Sequence, residues 1–255
     1  SYEDNGIKFF GDDGKKISDE LEERIEKKLS EEIVIVSAKK LGKAARISDA
    51  SGRYIEFCKS CLKRNINFNQ LKIVLDVANG ATYDVGPKVF KELGAEIIVL
   101  SNQPDGTNIN KNCGSTDIKL LQKEVIKNKA DFGIAFDGDG DRLIFVDENA
   151  MELNGDDILY VLARDKFENQ ITLGSKGIVG TIMTNKGLEI SLKKMGVDLI
   201  RTDVGDRHVL QKLEELNWDL GGEQSGHIIS LDSSNSGDAI IAAIKFLEAY
   251  VCSDL

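Results

Sequence analysis

Between residues 50 and 155, short apolar runs alternate with segments whose apolar positions recur every three or four residues. That cadence predicts strands alternating with helices. A helix is expected over about 53–64. The run Leu71-Lys72-Ile73-Val74-Leu75-Asp76-Val77 reads as a strand that ends at Ala78-Asn79-Gly80. A helix then runs to Lys91-Glu92-Leu93, where Gly94 is a good stop. Glu96-Ile97-Ile98-Val99-Leu100 is the next strand. Phe132-Gly133-Ile134-Ala135-Phe136 leads into Asp-Gly-Asp-Gly-Asp, and Arg142-Leu143-Ile144-Phe145-Val146 leads out of it. From about 156 the cadence returns, with strands at 177–182, 198–202 and 227–230 and helices at 187–195, 206–216 and 237–250. The predicted class is α/β, with tandem related domains of mixed sheets flanked by helices.

Residues 1–49 read differently. Gly6-Ile7-Lys8-Phe9-Phe10 is a short strand. Ser18 can cap a helix through about Leu29, with Asp19 and Glu20 in its first turn and Lys27 and Lys28 in its last. Ile17, Leu21, Ile25 and Leu29 form one narrow apolar stripe. One strand and one helix cannot bury each other well. The segment is therefore expected to be the tail of a domain whose beginning is absent, and either to pair through its stripe with a neighbouring copy of the chain or to be mobile. The expected divisions are 1–49, 50–155 and 156–255.

The formal net charge of −10 speaks against a nucleic-acid partner, which demands clustered Lys and Arg. An anionic small substrate stays open, because a basic pocket can sit in an acidic protein. No apolar run approaches the roughly 20 residues that span a bilayer, so no membrane partner is expected. The acidic, polar start is not a secretory signal, and the four cysteines are not a disulfide framework. A cytoplasmic location is expected. Cys58-x-x-Cys61 lacks a second pair to complete a zinc site. Ile55, Cys58 and Leu62 share a helical stripe, so the pair is read as structural.

Asp137-Gly138-Asp139-Gly140-Asp141-Arg142 carries the sharpest chemistry. Three carboxylates at alternate positions repel one another and call for a cation. Oxygen ligands select a hard ion, Mg²⁺ before zinc. Arg142 adds a fork suited to a phosphate beside that ion. Three other readings compete. An EF-hand would put Arg142 where its loop turns on Gly, between flanks that read as strands. A haloacid-dehalogenase-type aspartyl-phosphate site would use Asp137 or Asp139 as nucleophile, but an apolar strand resumes at once after Arg142. The third is a solvated acidic turn.

A second loop, Glu223-Gln224-Ser225-Gly226-His227, offers donors and acceptors that suit sugar hydroxyls and an amino group, or simply a polar turn. Gly205-Asp206-Arg207-His208 opens a helix and can present its N-terminus and Arg207 to a phosphate, although Asp206 also reads as an ordinary N-cap.

Taken in order, these motifs resemble the α-D-phosphohexomutases, and the resemblance covers the whole chain. Asp4-Asn5-Gly6-Ile7-Lys8 is similar to the end of that family's serine loop, residues 137–142 to its metal loop, and Glu223-Gln224-Ser225-Gly226-His227 to its sugar loop. Asp105-Gly106-Thr107-Asn108-Ile109-Asn110, Cys113-Gly114-Ser115-Thr116-Asp117 and Gln224 are similar to its glucosamine-phosphate branch.

The resemblance implies interconversion of glucosamine 6-phosphate and glucosamine 1-phosphate through a phosphoserine and a bisphosphorylated sugar, on the route to UDP-N-acetylglucosamine and bacterial cell wall. It implies Mg²⁺ on Asp137, Asp139 and Asp141, and Lys8 and Arg142 beside the transferring phosphoryl group. It places Glu223, Gln224, Ser225 and Arg207 at the substrate, with His227 assisting proton transfer. It implies that 50–155 and 156–255 are the second and third of four domains. The catalytic serine is expected upstream of residue 1, and the chain alone is expected to be inactive. The competing functions are an aspartyl phosphotransferase and a non-catalytic cation-binding module.

Overall fold

The computed structural model describes residues 2–3, 8–12, 14, 16–32, 35–168 and 176–253. Helix α1 (Asp19–Leu29) starts where Ser18 accepts the Leu21 N–H on its side chain, the cap read from the sequence. Leu21 and Leu29 of its stripe are exposed, Leu29 at 81%. The expected strand at 6–10 falls partly outside the described residues. Its end, Phe10, makes an isolated bridge to Lys16.

The first unit runs α2 (Ala50–Ser60), β1 (Lys72–Asp76), α3 (Val85–Glu92), β2 (Glu96–Leu100), α4 (Lys119–Asn128), β3 (Phe132–Phe136), β4 (Leu143–Asp147) and β5 (Glu152–Leu153). Its sheet has the order β2-β1-β3-β4-β5. β1 pairs parallel with β2 and β3, while β3–β4 and β4–β5 are antiparallel. β3 is buried along its length because helices cover both of its faces, which explains its unbroken apolar run.

The second unit repeats the plan. It runs α5 (Gly155–Glu168), β6 (Gly177–Thr181), α6 (Lys186–Lys194), β7 (Asp198–Thr202), α7 (Asp206–Leu216), β8 (Leu220–Gly222), β9 (Ile228–Ser230) and α8 (Ala239–Cys252). The order is β7-β6-β8-β9, parallel except for the β8–β9 hairpin. Two tandem α/β units with mixed sheets are the class expected.

The sequence reading did not place α4, α5, β5 or β8. The expected helix at 53–64 lies earlier, because the Asp49 carbonyl and carboxylate both engage Arg53 and start the helix at Ala50. The helix expected from 237 begins at Ala239, where the Asp238 carboxylate accepts the Ile241 N–H. Cys58 and Cys61 are buried free thiols. Burial pushes Cys58 up to about 12, so it stays protonated and packs as an apolar group.

The units share one core. Phe246 of α8 stacks at 4.1 Å on Phe145 of β4 and meets Phe132 of β3 edge-on at 5.9 Å. Charges lock the same seam at the end of the β8–β9 hairpin away from its loop. Glu248 accepts the Lys63 and Arg64 backbone N–H groups at 2.9 and 2.7 Å. Arg64 pairs with Asp165 at 2.7 Å, and Asp232 takes both Lys63 and Lys245.

Candidate metal and sugar-phosphate site

The β3–β4 hairpin carries residues 137–142. Asp137 is 1% exposed, and its Oδ1 accepts the backbone N–H groups of Gly140, Asp141 and Arg142 at 3.1–3.2 Å. The loop is thus wrapped around one carboxylate. Oδ2 accepts Arg142 Nε at 2.9 Å and keeps a lone pair. Asp139 and Asp141 join it, with one oxygen from each of the three within 4.8 Å of one another. Lys8 Nζ lies 2.7 Å from Asp139 and 3.6 Å from Asp141. A cation already stands where the acids converge.

The titrations follow from this geometry. Burial and then the Asp141 charge raise the Asp137 pKa. Burial would raise Asp139 too, but the Lys8 hydrogen bond and charge outweigh it and hold Asp139 below its ordinary value. Lys8 is raised in turn, chiefly by its bond to Asp139.

An all-oxygen set of three carboxylates fits a hard divalent cation rather than zinc. The EF-hand reading is excluded, because both flanks are strands of one sheet. Asp137 is buried while the Asp139 side chain is 57% exposed, so the turn is solvated only at its outer carboxylates.

The β8–β9 hairpin carries the second loop at the matching place in its own unit. Glu223 Oε1 accepts the Gly205 N–H at 2.9 Å, and the Glu223 N–H donates to His227 O at 2.9 Å. The Gly155 N–H at the start of α5 donates to Gln224 O at 3.0 Å. Ser225 is exposed and Gln224 half-buried.

The two hairpins meet directly. Arg142 and His227 form an antiparallel bridge, and the Leu143 N–H donates to Gly226 O at 3.1 Å. Only glycine allows this. Gly226 has φ +94°, and a Cβ there would lie 2.0 Å from Leu143 O.

His227 is 5% exposed, with Nδ1 3.6 Å from Asp141 Oδ2 and Nε2 3.9 Å from Asp206 Oδ2. Both separations exceed a hydrogen bond. Burial lowers its pKa, with Asp206 and Glu223 pulling the other way, and this favours the neutral imidazole. A cleft of about 540 Å³ opens beside Lys8, Lys16, Asp206 and Arg207. Its lining mixes Lys8, Lys16 and Arg207 with Glu22, Asp206 and Glu214.

All the metal-loop residues singled out from sequence therefore converge with Lys8 and His227, and Arg207 borders the adjoining cleft. Glu223 turns back onto Gly205. Asp206 is not the N-cap that was read as its ordinary role: Gly205 holds that position, and Asp206 is the first helical residue, paired with Lys16. Sequence reasoning missed Lys16 and Gly237. A Cβ on Gly237 would lie 2.2 Å from His227 Nε2, so that glycine covers the imidazole. Neither carries a local signal: Lys16 meets a partner 190 positions away, and Gly237 reaches His227 only when the chain folds back after β9.

Comparison with known proteins agrees with the geometry. The family profile described as phosphoglucomutase/phosphomannomutase, alpha/beta/alpha domain II matches residues 52–152, and that of domain III matches residues 154–254. A phosphoglucosamine mutase of Sodalis glossinidius is 53% identical over 98% of this chain and 56% of its own length. One from Aliivibrio fischeri is 51% identical over 100% of this chain and 57% of its own. This chain thus spans little more than half the length of these curated relatives. The crystal structure of a phosphoglucomutase/phosphomannomutase family protein from Burkholderia thailandensis superposes with a TM-score of 0.69 at 25% identity, over 80% of this chain and 44% of that one. Among the described residues no helix is long and apolar enough to cross a membrane. Two consecutive domain profiles, two structural units of the matching kind and a metal loop joined to a polar loop place this chain in the phosphoglucomutase/phosphomannomutase family.

Proposed function

We propose that this chain provides the metal and sugar loops of an enzyme that interconverts glucosamine 6-phosphate and glucosamine 1-phosphate. The observation that carries the reading is the Arg142–His227 bridge, which fuses a three-carboxylate loop and a hydroxyl- and amide-rich loop into one surface. The relatives at 51–53% identity favour the glucosamine sugar over other hexoses.

In this reading Asp137, Asp139 and Asp141 hold Mg²⁺, which when bound neutralises charge on the transferring phosphoryl group. Lys8 leaves Asp139 to face that group, and Arg142 flanks it while remaining tied to Asp137. Glu223, Gln224 and Ser225 meet the sugar hydroxyls and amino group, and Arg207 meets the phosphate already on the sugar. His227, held neutral by burial behind Gly237, assists proton transfer from beneath the loop rather than by direct contact with the sugar. The phosphoryl donor is a phosphoserine, and the bisphosphorylated sugar returns its other phosphate to that serine.

Residues 1–49, 50–155 and 156–255 then correspond to the end of a first domain, a second and a third. A cytoplasmic setting suits a phosphorylated amino sugar. The exposed Leu21 and Leu29 favour pairing of α1 with a second copy, and a strictly monomeric chain in sedimentation velocity contradicts that pairing.

The test is turnover by the longest natural chain that carries this sequence. Glucosamine 6-phosphate should be converted in a Mg²⁺-dependent way, faster than glucose 6-phosphate. Equal or faster use of glucose 6-phosphate would overturn the sugar assignment.

A further inference from the structure

The stretch 105–117, which includes the residues that resemble the glucosamine-phosphate branch, has no role in the site just described. It forms most of the long connection between β2 and α4, and no residue of it belongs to the carboxylate cluster or lines the cleft beside Lys8. Its outer part is a turn held mainly by its own side chains and tied to Asn79, whose Oδ1 accepts the Gln103 N–H at 3.1 Å. The Asp105 N–H donates to Asn108 Oδ1 at 3.0 Å, Thr107 donates twice to Asp105 Oδ1, and Asn108 Nδ2 donates to Gln103 O at 2.9 Å.

Its inner part grips the strand ends beneath the metal loop. Buried Asp76 accepts the Ala78 N–H on Oδ1 at 3.0 Å and the Gly114 N–H on Oδ2 at 2.9 Å. Gly114 sits so close to the end of β3 that a Cβ would lie 2.5 Å from Phe136 O. The Asn110 N–H donates to Ala78 O at 2.9 Å.

Between these anchors, Ile109 and Asn110 press on the metal loop. A Cβ built on Gly138 would lie 2.7 Å from Asn110 Nδ2 and 2.7 Å from Ile109 Cδ1. Asn110 holds φ at +56°, a conformation Asn tolerates better than most side chains. Its Oδ1 is buried with no hydrogen-bond partner. Buried polar atoms are rarely left so, and they persist where another demand fixes the side chain. Here the demand is contact with Gly138, the residue between Asp137 and Asp139.

We infer that Asn110, backed by Ile109, is a positioning residue that clamps the metal loop from behind and sets the spacing of its carboxylates. The 105–117 stretch then tunes the metal rather than reading the sugar. In the second unit β7 passes to α7 through residues 203–205 alone, and that connection holds its loop through the Gly205 N–H, which donates to Glu223 Oε1. Its loop carries one carboxylate, which has no like charge to be held against.

The inference rests on the reading of 137–142 as a metal loop, and the test separates the two. Mn²⁺ affinity of this chain is measured by electron paramagnetic resonance, and amide exchange of residues 137–142 by mass spectrometry. Asn110→Gly keeps the positive φ and removes only the side chain. It should weaken Mn²⁺ binding about tenfold, the usual loss for a residue that orients metal ligands. It should also speed exchange of 137–142 while unfolding stays cooperative. Ile109→Val, a milder change, should move both readouts the same way by less. Exposed Thr107→Ala should move neither.

Unchanged affinity and exchange in Asn110→Gly, or an equal effect from Thr107→Ala, would overturn the inference. Absence of Mn²⁺ binding by the unaltered chain would overturn the metal reading instead, and the exchange of 137–142 would then decide the clamp by itself.

Discussion

The two units are built on one plan and put their hairpin loops to different uses. In each, a parallel β-α-β-α-β run ends in an antiparallel hairpin whose loop points at the seam. In the first, that loop holds three acids around one buried carboxylate. In the second it holds a carboxylate, an amide, a hydroxyl and an imidazole. The first unit adds the long 101–118 connection against its loop, whereas the second passes from β7 to α7 through 203–205. The frame fixes where a loop sits. The loop sequence decides what it binds, and a loop of mutually repelling charges needs more scaffolding than one with a single carboxylate.

The largest effect should come from cutting the first loop to a single carboxylate, like the second. Asp139→Asn with Asp141→Asn should lower Mn²⁺ affinity more than about 100-fold by removing two charged oxygen ligands. Thermal unfolding should stay near the parent value, because Asp137 still holds the loop backbone. Next is separation of the two loops. Gly226→Ala places a methyl against Leu143 O and strains φ +94°. It should cost about 3 kcal/mol in chemical denaturation and weaken glucosamine 6-phosphate binding in calorimetry.

Asp232→Asn probes the far end of the second hairpin and should cost about 2 kcal/mol at neutral pH by leaving buried Lys245 without its carboxylate. Burial alone would raise Asp232, but Lys245 and Lys63 hold it well below the usual range. A depressed native pKa stabilises above the unfolded value of about 3.9. The gap between variant and parent should therefore be full above about pH 4 and close as pH falls through the native value. The smallest effect is expected outside both units. Leu29→Ser, at a residue 81% exposed, should change monomer stability by less than about 0.5 kcal/mol.

Much of this was legible in the chain because its signals are local. The apolar runs at 96–100 and 132–136 matched their strands residue for residue. The Asp-Gly-Asp-Gly-Asp-Arg run carried its chemistry in adjacent letters. β8 was illegible, since Leu220-Gly221-Gly222 has no strand pattern and gains its place only by pairing with β6 and β9. The charged seam was hidden for the same reason, as Glu248 reaches backbone groups at Lys63 and Arg64 from far along the chain. Asp206 read as a cap because helix starts favour Asp. Nothing nearby in sequence announces Lys16 as its partner, or the glycine that lies over His227.

The most direct test of the account is whether metal and sugar phosphate share one site. Mn²⁺ is added to this chain in the presence of glucosamine 6-phosphate, and the phosphorus resonance of the ligand is followed by NMR. The account predicts paramagnetic broadening of that resonance by Mn²⁺ on the chain, lost in the Asp139→Asn, Asp141→Asn variant. A resonance that the bound ion leaves unbroadened, or one broadened equally in the variant, would contradict it.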